Sequence, residues 1–183
     1  MLDVGAKITT LREAKAGGFL RLKPETLERL KSGRTPKPDV LATARAAALL
    51  GAKKTPELIP HCHPIALDAL QVELLPEADG IRVRATAAAI ARTGVEMEAL
   101  CAVQVACLTL YDLLKALDKD MIIEDVRLLE KSGGGSDFQP RLKPGYKAAV
   151  VVTSDRVSKG QAEDKTGPWL VQALLDHGVR EPS

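Results

Sequence analysis

Aromatic residues are scarce: one Trp, two Tyr and two Phe, 3% of the 183 residues. A stacking platform for single-stranded nucleic acid needs exposed rings, so that class of function is excluded. The core has to be built from Leu, Val, Ala and Ile instead. Cysteine is rare as well. Cys62, Cys101 and Cys107 are an odd number and form no C-x-x-C pair, which speaks against a disulfide framework and for a reducing compartment. No uncharged apolar stretch reaches the ~18 residues of a membrane span. Residues 1–16 mix charged and apolar side chains without the apolar segment of a secretory signal. The expectation is a cytoplasmic protein with no membrane partner. A net charge of +2 excludes a whole-chain polyanion binder, so no nucleic acid is expected and any anion site must be local.

Hydrophobic residues make up 45% and charged residues 27%, an ordinary globular composition. The length allows one full domain and a remainder. Periodicity and turn residues predict a short strand at 18–22 and a helix at 24–31. A Pro- and Gly-bounded loop at 33–38 comes next, then a helix at 40–50 capped by Asp39 and interrupted by Gly51. Thr55 is expected to cap one further turn. Strands at 71–75 and from 81 towards Arg92 are joined through Asp79-Gly80, a hairpin signal. Val72 and Leu74 should share one face, and Ile81, Val83 and Ala85 should oppose Arg82 and Arg84. Thr93 to Glu96 fits a capping box opening a helix at 94–117. That helix is apolar nearly all round and is expected to be mostly buried. A strand at 121–129 and a flexible glycine loop at 131–136 complete the unit.

This order is β-α-β-β-α-β with a small extra helix. It predicts an α+β fold: a ferredoxin-like plait with an antiparallel sheet and helices on one face. The other face needs a cover, for which a second subunit is the economical answer. The domain is expected to span 1–142. A linker at 143–146 is followed by 147–183, with one fully apolar strand at 147–153 and a helix from Thr166 or Gly167 to His177. One strand and one helix cannot bury a sheet, so this reads as the truncated start of an α/β domain.

Four groups of residues can carry chemistry. His61-Cys62-His63 lies in a proline-bounded loop. A metal is not expected there, since adjacent residues seldom point at one ion. A histidine facing substrate fits better, with a plain surface loop as the bland reading. Glu96-Met97-Glu98 opens the long helix. Dipole and capping chemistry explain Glu96, whereas Glu98 among apolar neighbours can hold the amino edge of a guanine-like ring. Asp112 and Lys115 stand at i and i+3. They form either a surface pair or, given their apolar surroundings, a partly buried one suited to proton transfer. Lys37 and Lys131 stand out among the loop lysines (Lys53, Lys54 and Lys119 are the others). Lys131 with the following Ser and glycines can cradle phosphate. Glu98 and Asp112 are about 21 Å apart along one helix, on one face, too far to touch one atom but within the span of a nucleotide triphosphate or of two subunits.

Several long runs carry a resemblance: Leu58-Ile59-Pro60-His61-Cys62-His63-Pro64, Thr93-Gly94-Val95-Glu96-Met97-Glu98-Ala99-Leu100, Leu110-Tyr111-Asp112, and Val126 to Gly134, with Met1 to Lys7 and Lys37 to Arg45 before them. Over about residues 1–139 the chain resembles the cyclic pyranopterin monophosphate synthases, molybdenum cofactor biosynthesis protein C. The resemblance implies conversion of 3′,8-cyclo-7,8-dihydroguanosine 5′-triphosphate to cyclic pyranopterin monophosphate with release of diphosphate and with no cofactor. It implies a homo-oligomer, a hexamer built from dimers with sites at the dimer interface. Asp112 matches the catalytic aspartate of the family, and Lys37, Lys115 and Lys131 match its active-site lysines. His61, Cys62, His63, Glu96, Met97 and Glu98 fall in its substrate-binding segments. One departure is His61, where the family commonly has Leu. The tail is similar to the opening of molybdopterin adenylyltransferase-like domains, through Ala-Val-Val-Val-Thr-Ser-Asp and Asp164 to Pro168. A non-catalytic nucleotide-binding module and an oligomerising scaffold are the rival readings; turnover separates the first, nucleotide affinity the second.

Overall fold

Alternation of small apolar and polar side chains builds the sheet. In β1 (Thr10–Arg21) the buried positions include Ala14, Ala16 and Leu20. In β2 (Ala69–Pro76) they are Val72 and Leu74. In β3 (Gly80–Ala91) they include Ile81, Val83, Ala85, Ala87 and Ala89. Val72, Leu74, Ile81, Val83 and Ala85 are the hairpin positions that the alternation predicted to share a face. With β4 (Ile122–Ser132) the strands form one sheet in the order β2-β3-β1-β4, every pair antiparallel. The computed structural model describes residues 1–134 and 149–176. The chain divides into units Met1–Asp137 and Phe138–Ser183, and the first is an α+β unit.

The strands are longer than predicted. β1 starts at Thr10 and not at 18, and β4 runs on to Ser132, so Lys131 and Ser132 belong to a strand and not to a glycine loop. Only Gly133 and Gly134 of that loop are described; 135 and 136 lie outside the described residues, as do the predicted linker and His177. Ala and Gly have little strand preference of their own, and here full pairing with β3 decides.

Between β1 and β2 stand three helices. α1 (Pro24–Lys31) has Pro in its first turn, Glu25 near its positive end and Arg29 and Lys31 near its negative end. α2 (Val40–Lys53) lacks the expected cap: Asp39 is left-handed, φ 51°, and its side chain makes no capping bond. α2 also runs straight through Gly51. A Cβ there would stand 2.7 Å from Val105 Cγ2 of the long helix, so glycine permits close helix packing instead of breaking α2. α3 (Thr55–Leu58) begins at Thr55, whose hydroxyl donates back to the Gly51 carbonyl instead of capping.

α4 (Glu96–Leu114) starts two residues later than predicted and ends three earlier, with Val95 and not Thr93 before it. Its burial is a stripe, not a full circumference: Ala99, Ala102, Val103, Ala106, Cys107, Leu110 and Leu114 face inward, and Leu108 is 58% exposed. The helix is long and apolar enough to cross a membrane by length and composition alone, with half of that stretch buried inside the protein. It packs across β1, β3 and β4, and α2 packs on α4 and β2. Leu11 and Ile90, partners across β1 and β3, stay 59% and 66% exposed.

In the second unit α5 (Asp155–Ser158) is capped by Ser154, which accepts from Val157 N. α6 (Thr166–Asp176) has Asp164 at its entry, accepting from Thr166 N and Gly167 N at 3.0 and 2.9 Å. Of the strand expected at 147–153, residues 149–153 form none, and 147 and 148 lie outside the described residues. A strand exists only through a partner's backbone groups, which apolar sequence alone does not supply.

Candidate active site

At the N-terminal end of α4 the helix entry, the loop after α3 and the first residues of the chain enclose a cavity of about 590 Å³. His61, Cys62, His63, Glu96, Met97 and Glu98 all line it, with Lys7, Thr93 and Gly94. His63 Nε2 donates to the Leu2 carbonyl at 2.9 Å. His61 Nδ1 lies 3.2 Å from the amino group of Met1. The Glu98 residue is only 3% exposed. Burial pushes its carboxyl above the ordinary glutamate range, its own backbone N–H opposes this, and Glu96 adds to it. The Cys62 thiol is pushed up by burial first and then by Glu98 and Cys101. That makes it a poor nucleophile and leaves it a small lining group.

A second cavity of about 600 Å³ shares Lys7, Thr93, Gly94 and Glu96 with the first. Its other walls are Arg12, Glu13, Arg92 and the run Lys131 to Gly134. Lys131 Nζ lies 3.4 Å from Glu96 Oε1, so β4 and the start of α4 bring these two site residues together. The turn at Gly133 and Gly134 has φ of +89° and +115°, which glycine alone adopts without strain. Among the described residues no three His, Cys, Asp or Glu side chains are grouped to hold a metal.

Asp112, Lys115 and Lys37 gather elsewhere, at the C-terminal end of α4. Asp112 accepts from Lys115 Nζ at 2.6 Å and from Lys37 Nζ at 2.8 Å. The ammonium of Lys115 first, and that of Lys37 second, pull the carboxyl down to about 2, and Asp112 in turn raises Lys115. The predicted partly buried pair is not what this chain forms: the Asp112 and Lys115 side chains are 53% and 57% exposed. Leu108 and Ala116 nearby are exposed too, so the apolar sequence around Asp112 does not translate into burial. The face shared by Glu98 and Asp112 is therefore closed at one end and open at the other.

Sequence reasoning passed over Lys7, Arg12 and Arg92. Arg12 carried a signal: it lies on the parity of Ala14 and Ala16, where a strand should be apolar. Starting the strand at 18 hid it. Lys7 and Arg92 precede and follow strands without a pattern of their own.

The MoaC family matches residues 1–134. A cyclic pyranopterin monophosphate synthase from Novosphingobium aromaticivorans is 57% identical over 136 residues, taking in 74% of this chain and 87% of that protein. One from Aquifex aeolicus is 52% identical over 141 residues, 77% of this chain and 56% of that protein. A molybdenum cofactor biosynthesis bifunctional protein from Synechococcus elongatus is 42% identical over 192 aligned positions, which take in 98% of this chain and 60% of that protein.

Proposed function

Since the chain belongs to the MoaC family, we propose that it is a cyclic pyranopterin monophosphate synthase of molybdenum cofactor biosynthesis. Its substrate is 3′,8-cyclo-7,8-dihydroguanosine 5′-triphosphate, and its products are the cyclic pterin phosphate and diphosphate. The observation that carries the reading is one carboxylate held between two ammonium groups, Asp112 with Lys115 and Lys37.

That cluster favours particular roles. A carboxyl drawn down to about 2 is a weak base near neutral pH. Asp112 holds the two lysines charged and aimed, and Lys115 is the acid that delivers a proton. Lys37 stabilises negative charge as diphosphate departs. At the other end, Glu98 takes the amino edge of the ring and His63 binds or protonates it from the same cavity. Met97, Cys62 and His61 line that pocket. Lys131, held at Glu96, binds the triphosphate in the second cavity with Lys7 and the glycine turn.

About 21 Å of helix separate the two ends. That supports sites shared between subunits, in a hexamer built from dimers, and the exposed Leu11 and Ile90 support a subunit covering the open sheet face. The strand order β2-β3-β1-β4 supports a ferredoxin-like plait. The homologous enzymes support a cytoplasmic place. Residues 1–142 form the synthase domain in this reading, 143–146 a linker, and 147–183 the start of an α/β domain like the molybdopterin adenylyltransferases. The match of 98% of this chain to a bifunctional relative supports the last point.

The test supplies purified cyclic nucleotide to the full chain and follows diphosphate together with pterin fluorescence after oxidation. Stoichiometric appearance of both, lost in Asp112→Ala, is expected. Binding with neither product moves the reading to a non-catalytic nucleotide module.

A further inference from the structure

Arg12 bridges both walls of the second cavity. Ala91 and Arg92 end β3 and lead through Thr93 and Gly94 into α4, while Gly133 follows Lys131 and Ser132 out of β4. The guanidinium donates through Nε to the Ala91 carbonyl at 3.3 Å, through Nη1 to that of Gly133 at 3.1 Å, and through Nη2 to that of Arg92 at 3.5 Å. One planar fork thus ties together two segments that are far apart in the chain.

The turn is shaped around that fork. A Cβ on Gly134 would stand 2.2 Å from Arg12 Nη1, and one on Gly133 would stand 1.9 Å from the Leu11 carbonyl. Peptide planarity adds a consequence. A carbonyl and the N–H of the next residue point in opposite directions. With the Gly133 and Arg92 carbonyls aimed at Arg12, the N–H groups of Gly134 and Thr93 point away from it. Both residues line the cavity. Electron-rich oxygens are thereby held on the guanidinium and turned from an anion's path.

We propose that Arg12 is a positioning residue: it fixes the spacing of the two walls and the direction of their carbonyls, while Lys7 and Lys131 supply the charge that binds phosphate. The proposal rests on the reading of this cavity as the phosphate pocket.

The test uses the full chain with Arg12→Lys, Arg12→Ala and Gly134→Ala, each checked for folding by thermal melting. A lysine keeps the charge but offers one nitrogen in place of the three that hold these carbonyls. Arg12→Lys and Arg12→Ala should therefore both raise KM about tenfold with kcat held within about twofold. Gly134→Ala should raise KM as well, and its effect should not multiply with that of Arg12→Ala in the double variant. Arg12→Lys with wild-type KM, or multiplying effects in the double variant, overturns the proposal. Amide hydrogen exchange at residues 92–94 and 132–134 should quicken in folded Arg12→Lys, a readout independent of turnover. Unchanged exchange there overturns the proposal whatever the activity. A wild-type chain without turnover, combined with faster exchange in Arg12→Lys, overturns the functional reading and leaves the clamp standing.

Discussion

At the N-terminal end of α4 a carboxyl is enclosed: Glu98 is buried beside a cavity, and desolvation drives it towards its neutral form. At the C-terminal end a carboxyl stands in the open. Asp112 is over half exposed, and two lysines drive it towards its charged form. The same functional group on the same helix is thus pushed in opposite directions, by burial in one case and by cations in the other. One end has its walls within this chain and presents a buried carboxyl group. The other presents a fixed cluster of charges with its side chains about half exposed. A reaction that must recognise a flat polar ring and also move protons can use both environments, provided the substrate meets both.

The largest expected effect comes from breaking the open end. Asp112→Ala should lower kcat by about 10²–10⁴-fold, the range for lost acid–base function, with an unchanged melting temperature, because exposed ion pairs add little to stability. The pterin assay and a thermal melt measure the two together. The next experiment asks whether the two ends meet across subunits. Mixing inactive Glu98→Ala and Asp112→Ala chains should restore activity to about a quarter of wild type, the share of intact sites in randomly mixed two-fold dimers. No recovery after proven subunit exchange would place both ends of each site in one chain.

Smaller effects test what joins and tunes the ends. Gly51→Leu should cost about 1–3 kcal/mol in denaturant unfolding, because the added side chain drives α2 from Val105. Val105→Ala should return part of that loss, and additive losses would deny the contact. Glu98→Gln should stabilise the fold by about 1 kcal/mol at pH 7, since it removes a buried carboxylate that has no ion pair among the described residues. The sign follows from linkage. The folded carboxyl is raised above 4.5, so its contribution is present below that value and is lost as pH rises through the raised one. The gain should accordingly shrink at pH 4, and a gain independent of pH would mean that Glu98 is not ionised at pH 7. For Asp112 the sign is opposite. Its folded value of about 2 lies below 3.8, so the cluster's contribution is complete above 3.8 and is lost only as pH falls through about 2. Asp112→Asn should lower the plateau of the rate profile between pH 5 and 9 without moving its acidic limb. A moved limb would assign that limb to Asp112.

Much of this was readable in the sequence. The alternation at Val72, Leu74, Ile81, Val83 and Ala85 placed the hairpin and its inward face, and proline with flanking charges placed α1 to the residue. Long motifs placed the lining groups His61 to His63 and Glu96 to Glu98. Local rules failed where a nonlocal partner prevailed. Asp39 and Thr93 are good caps by type and cap nothing. Gly51 reads as a stop and is a contact. Lys131 reads as loop and lies in a strand, because β1 offers it a ladder.

Periodicity and residue type by themselves determined the element order of the first unit and the apolar face of the hairpin, because those follow from neighbours a few positions away. The tertiary structure alone decided that Asp112 is exposed while Glu98 is buried. It also brought Lys37 to Asp112, and joined Ala91, Arg92 and Gly133 through Arg12. Burial and long-range hydrogen bonds depend on what the rest of the chain lays against a residue, and a local pattern does not contain that information.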